Sequence, residues 1–361
     1  MRTRVPVRVV TAVVIALLAL LWGAVPVGAG DPVGQITEFT DGLTPNNGPN
    51  RITDGPDGNL WFTEAARGSP QTAKIGRITP SGVITEFSDG LTPNSGLVAI
   101  TSGADGNLWF AEMNDPGRIG RITPNGDITE FETPSPNSGP LGITAGPDGN
   151  VWFTEFRNPG RIGRITPSGV ITEFAIPSPN SQPVEITAGP DGNLWFTEGA
   201  NPGRIGRITP NGDITEFSDG LTPNSQLNRI TAGPDGNLWF TEFIDPGRIG
   251  RITPSGVITE FEIPSPNSGP LGIVTGCDRN LWFTESANPG RIGRITPNGD
   301  ITEFTAGLSK DGFPIGITAG PDDNVWFTLA NDPGRVGKIG AGCVAPAPAP
   351  VPVTAAPRFT G

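Results

Sequence analysis

EITAGPDGNLWFTEGANPGRIGRITPNGDITEF, residues 185–217, reads as four short apolar runs cut by three turns. Residues 185–188 (EITA), 194–198 (LWFTE), 204–209 (RIGRIT) and 214–217 (ITEF) are rich in β-branched and aromatic side chains, which suit a pleated backbone. Gly189-Pro190-Asp191-Gly192-Asn193, Asn201-Pro202-Gly203 and Asn211-Gly212-Asp213 separate them. Asp-Gly supplies the positive φ that a tight hairpin needs. The stretch therefore predicts a four-stranded antiparallel unit.

The unit recurs along the chain. Trp61, Trp109, Trp152, Trp195, Trp239, Trp282 and Trp326 each sit in a Leu/Val-Trp-Phe motif, with gaps of 48, 43, 43, 44, 43 and 44 residues. A period of ~40–45 residues made of four short strands marks a propeller blade. The Trp, Phe and Ile side chains of one unit can be buried only against a neighbouring unit, so no unit should fold alone. The ITEF strand also occurs seven times, but its first copy, residues 36–39, precedes the first blade, and the seventh blade ends at residues 335–339 (RVGKI) without its own copy. The expectation is an all-β, seven-bladed propeller with four antiparallel strands per blade, closed by the N-terminal strand.

Both ends of the chain read differently. Arg2, Arg4 and Arg8 precede an apolar run at 9–22, and Val27-Gly28-Ala29 places small residues where a signal peptidase reads them. Residues 1–29 are read as a signal peptide, 30–342 as the propeller, and 343–361 as a disordered Pro/Ala-rich tail. The expected location is secreted or in the cell envelope. The formal charge of −12 becomes −15 without the three signal arginines. Such a surface repels nucleic acid and anionic lipid, so neither is an expected partner. No membrane insertion is expected after cleavage, and the chain should be a monomer. Cys277 and Cys343 fall on one face of adjacent blades and can form one disulfide or remain two thiols.

The chain has no histidine and no tyrosine, and only three lysines, Lys74, Lys310 and Lys338. A Ser-His-Asp triad, a histidine base and a His-ligated metal are thereby excluded. Any catalysis would fall to carboxylates, arginine or an oxygen-ligated ion such as magnesium or calcium. Glu64, Glu112, Glu155, Glu198, Glu242 and Glu285 end the second strand of blades one to six and should form a ring at equal height. Glu155, Glu198 and Glu242 are candidate metal ligands. The competing reading pairs each of the six with an Arg of the following RIGR strand. The ITEF glutamates are read as solvated surface.

Binding sites in propellers arise where the repeats differ. The residue before the first-strand Ile reads Arg51, Ala99, Gly142, Glu185, Arg229, Gly272 and Gly316 in blade order. It should face the channel mouth, where Asn50, Arg51, Glu185, Asn228 and Arg229 form an asymmetric polar set: a ligand site or a rim salt bridge. Phe156 and Phe243, on loops after the second strand, add candidate apolar contacts.

The strings GPDGNLWFTE, RIGRITPSG and ITEFxIPSPNSGP resemble the virginiamycin B lyase family, the streptogramin lyases, from residue 36 to about residue 339. The resemblance implies a seven-bladed propeller and a magnesium-dependent elimination that linearises cyclic depsipeptides. It places two histidines and two glutamates near the channel in blades six and seven. Here those histidine positions hold Leu271 and Ile315, and the glutamate positions hold Phe313 and Ala330. The expectation is a secreted, non-catalytic binding or scaffold module for a small molecule, glycan or protein. The runner-up is a lyase or lactone hydrolase whose divalent ion is held by carboxylates and Asn.

Overall fold

The computed structural model describes residues 31–66, 73–331 and 333–343. The signal-peptide assignment and the tail beyond Cys343 lie outside these residues. Seven four-stranded antiparallel sheets account for the strands described. In blade four the strands are Pro183–Ala188, Leu194–Glu198, Arg204–Ile208 and Ile214–Phe217, in sequential order from inner to outer. The inner strand begins two residues before the apolar run at 185, because a register shift between Pro183 and Ile186 interrupts its pairing with the second strand. The same irregularity recurs in every inner strand.

Closure is as the strand count predicts. Ile36–Phe39 pairs antiparallel with Arg335–Gly340 and becomes the outer strand of blade seven. Cys277 and Cys343 are disulfide-bonded, with Cα atoms 5.8 Å apart.

The core lies between blades. Trp152 and Ile162 of blade three pack with Ile186, Leu194, Phe196 and Ile208 of blade four. At the closing seam Trp326 and Val336 meet Ile52, Leu60, Phe62 and Ile78. All seven motif tryptophans are fully buried. Trp195 stacks on the outer-strand Phe217 at 5.4 Å, and the Arg207 guanidinium lies 5.6 Å from the Trp195 ring. Arg207 also donates to the Pro254 carbonyl of the next blade at 3.2 Å. The indole N–H of Trp195 donates to Asp191 at 3.0 Å, which explains the invariant spacing of turn and strand.

The glycine of RIGRI has a steric cause. A Cβ on Gly206 would stand 2.0 Å from the Phe196 ring, and the same collision occurs at Gly76, Gly120, Gly163, Gly250, Gly293 and Gly337. Only a residue without a side chain lets the second-strand Phe lie flat across the third strand.

Candidate functional site

Inner strands line the channel. The register shift frees backbone groups at residues 51, 142, 185, 229, 272 and 316, and a threonine of the second strand takes them up. Thr197 accepts from the Glu185 N–H at 3.1 Å and donates to the Asn228 carbonyl of the next blade at 2.7 Å. Thr63, Thr154, Thr241, Thr284 and Thr328 do the same in their blades. Blade two has Ala111 there and lacks the bridge.

The polar set is deeper than the mouth. Arg51, Glu185 and Arg229 line a cavity of about 220 Å³ together with isoleucines of the inner strands, including Ile52, Ile186 and Ile230. Arg229 Nη1 donates to Glu185 Oε2 at 2.6 Å, and Arg51 Nη2 lies 4.0 Å from the same oxygen. Gly142 makes room for this: a Cβ there would stand 2.7 Å from Glu185 Oε1. Burial pushes Glu185 up to about 6 against the attraction of Arg51. Burial also lowers Arg51, with Glu185 opposing. The expected Glu185–Arg229 pair is present, with Arg51 as a third member.

Asn50 and Asn228 hold equivalent places one residue nearer the linker face. The Asn50 carbonyl accepts from Thr328 at 2.5 Å. Asn228 lines a groove of about 450 Å³ on the linker face, walled by Phe156 and Phe243, with Gln182, Val184 and Gln226 among its other residues. A second hollow of about 410 Å³ lies against Phe243 with Gln226, Ile244 and Asn267. Phe243 is 42% exposed. The structure thus joins Phe156, Asn228 and Phe243 in one groove and leaves Asn50 outside it. Gln182 and Gln226 escaped the sequence reading. They replace the linker Gly that precedes the inner strand in blades four and five, as Phe313 does in blade seven, and that departure from the repeat was visible.

The glutamate ring takes a form the sequence did not suggest. Glu64, Glu112, Glu155, Glu198, Glu242 and Glu285 are fully buried. Each is pushed up to about 8, first by burial and then by the outer-strand glutamate of its own blade. The outer-strand neighbours are Glu86, Glu130, Glu173, Glu216, Glu260 and Glu303 in blade order. The expected Arg of the third strand is present in three blades: Arg161 lies 3.7 Å from Glu155, Arg204 3.9 Å from Glu198, and Arg291 donates to Glu285 at 3.4 Å. Glu155, Glu198 and Glu242 stay in separate blades. Among the described residues no three His, Cys, Asp or Glu side chains are grouped to hold a metal.

The ITEF glutamates are not solvated surface. Glu86 accepts from the Thr44 N–H at 2.5 Å and its hydroxyl at 2.6 Å. Glu130, Glu173 and Glu260 hold Thr92, Ser135 and Thr222 alike. These side chains turn inward because each fastens the linker that brings the chain from the preceding blade into its own.

Leu271, Ile315, Phe313 and Ala330 converge on the linker face of blades six and seven. The Ala330 N–H donates to the Phe313 carbonyl at 3.1 Å. Thr284 donates to the Ile315 carbonyl at 2.9 Å, and a Cβ on Gly272, beside Leu271, would stand 2.7 Å from that carbonyl. Phe313 is 43% exposed. None of the four side chains carries a donor or acceptor atom, so none of these four can ligate a magnesium ion or move a proton.

The Virginiamycin B lyase family model matches residues 21–219 and 202–357. A streptogramin B lyase structure is 38% identical, covering 85% of this chain and 97% of that one, with a TM-score of 0.75. A catalytically inactive virginiamycin B lyase from Staphylococcus aureus, with one histidine replaced by alanine and solved with quinupristin, is 42% identical. It covers 85% of this chain and 99% of its own, with a TM-score of 0.75. YCF48 bound to D1 peptide, 14% identical over 89% of this chain and 100% of that one, shares the fold alone, with a TM-score of 0.66. No curated protein matches.

Proposed function

This chain belongs to the virginiamycin B lyase family, and from that premise we propose that it is an exported binding propeller without lyase chemistry. The observation that carries the reading is the corner formed by Leu271, Ile315, Phe313 and Ala330. There, by resemblance, a lyase keeps its histidines and glutamates. A general base alone is worth ~10²–10⁴ in rate, and this chain has no histidine anywhere. The S. aureus relative is inactive after loss of one histidine.

Ligand binding is assigned to the linker-face groove. Phe156 and Phe243 offer apolar walls, and Gln182, Gln226 and Asn228 offer amides that donate and accept. That chemistry suits a small neutral molecule bearing amides, such as a peptide or depsipeptide. The divalent-ion alternative would need carboxylates to converge, and those of the ring are buried in separate blades.

The test uses quinupristin. With magnesium present, mass spectrometry should show the cyclic compound unchanged after prolonged incubation. Titration should show saturable binding that weakens by about tenfold in Phe243→Ala, since deleting a central aromatic contact typically costs more than ~1 kcal/mol. A linear product that disappears with chelator would overturn the reading and restore the lyase. Export is tested by N-terminal sequencing of the chain recovered outside the cell, expected to begin at Gly30; an intact Met1 end would refute it.

A further inference from the structure

We propose that the channel is a second binding site, for a small monoanion of the carboxylate class held between Arg51 and Arg229. Charge is the first argument. Of the seven ring positions, Arg51, Glu185 and Arg229 are charged, and Ala99, Gly142, Gly272 and Gly316 are not. The ring therefore carries one surplus positive charge, inside a chain whose net charge is −12.

Hydrogen bonding is the second. Glu185 Oε2 is taken up by Arg229 at 2.6 Å, while Arg51 reaches it only at 4.0 Å. The Arg51 guanidinium makes no hydrogen bond among the described residues, although the residue is only 8% exposed. The Nε atoms of Arg51 and Arg229 are both buried and unpartnered. Arg51 shares its ion-pair partner Glu185 with Arg229, which holds the hydrogen bond, so one buried cation of the two is under-compensated and a bound anion would complete its pairing.

Shape is the third. The cavity of about 220 Å³ takes an anion of acetate size with water, and its walls beyond the charged ring are largely isoleucine. In that setting each donor acts at low dielectric. Glu185 selects against dianions, because a second negative charge would face its carboxylate. No other titratable side chain lines the cavity.

The experiment is calorimetric titration of the purified chain with sodium acetate. The expected result is saturable one-to-one binding, with inorganic phosphate at pH 8 bound at least ~10-fold more weakly. Arg51→Leu, which removes the guanidinium that is not hydrogen-bonded to Glu185 and leaves the Glu185–Arg229 pair intact, is expected to abolish the heat. Glu185→Gln is expected to tighten acetate by roughly 10-fold. Bromide-soaked crystals should show an anomalous peak between the two guanidinium groups. Absence of binding to the wild-type chain, undiminished binding in Arg51→Leu, or weaker binding in Glu185→Gln would each overturn the proposal.

Discussion

At the scale of single residues, one hydroxyl does what a ladder hydrogen bond cannot. The register shift in each inner strand leaves an N–H and a carbonyl of adjacent blades unpaired, and Thr197 bridges them at 3.1 and 2.7 Å. Thr197→Val keeps the volume and orphans both groups. It should cost about 1–3 kcal/mol, the penalty for a buried unmet polar group. Blade two supplies the reverse experiment. Ala111 is fully buried where six blades keep threonine in the same backbone. Ala111→Thr should bridge the Ala99 N–H to the Leu141 carbonyl and add about 0.5–1.5 kcal/mol, read as a higher denaturant midpoint. No gain would mean that blade two has closed the space. Threonine in LWFTE was visible in the sequence as strand chemistry. Its reach across blades was not, because the shift that frees the backbone leaves no mark in the repeat. Leu271, Ile315, Phe313 and Ala330 were legible only through resemblance, since nothing local distinguishes them from ordinary apolar residues.

At the scale of one blade, the carboxyl pair sets how stability depends on pH. Glu198 and the residues like it are raised to about 8 in the fold, by burial first and the outer-strand carboxylate second. Unfolded, a glutamate titrates near 4.3. Between those values the folded chain binds more protons than the unfolded one, so stability falls as pH rises. This contribution is complete below the unfolded value and lost as pH climbs through about 8. Asp191 and its counterparts act oppositely: hydrogen bonds from Asn193 and Trp195 outweigh burial and lower them, so their contribution is lost in acid. The thermal midpoint should therefore be higher at pH 5.5 than at pH 9. Replacing Glu64, Glu112, Glu155, Glu198, Glu242 and Glu285 together by Gln should flatten that slope, because an amide donates without titrating. A midpoint that rises toward pH 9 would refute the raised titration of these buried glutamates. The sequence reading matched each Glu with the Arg directly opposite on the next strand. That pairing is present, and a second neighbour comes from the strand beyond, on the same face: Phe196 lies over Gly206, whose cross-strand partner is Glu216.

At the scale of the whole molecule, the strand count was the most legible feature, since seven units and a displaced ITEF admit one closure. That closure also predicts unequal consequences for equal substitutions. Phe217 stacks on Trp195 at 5.4 Å and Phe39 on Trp326 at 5.6 Å. In blade four the outer strand follows the third through the short Asn211-Gly212-Asp213 turn, so losing the stack leaves the strand tethered. In blade seven the outer strand comes from the other end of the chain, held by pairing with Arg335–Gly340, by the Phe39 stack and by Glu38 against Arg335 at 3.5 Å. Detachment there exposes a sheet edge and opens the ring. Phe39→Ala should accordingly destabilise more than Phe217→Ala, with each in the range of about 1–4 kcal/mol for a partly buried aromatic. The Cys277–Cys343 disulfide fastens the end of blade seven to blade six and constrains the unfolded chain. Cys343→Ser should cost about 2–4 kcal/mol. Calorimetry should show a single transition in every variant, because each core cluster is shared by two blades. Equal midpoints for Phe39→Ala and Phe217→Ala would mean that the closing strand is no weaker than an internal one.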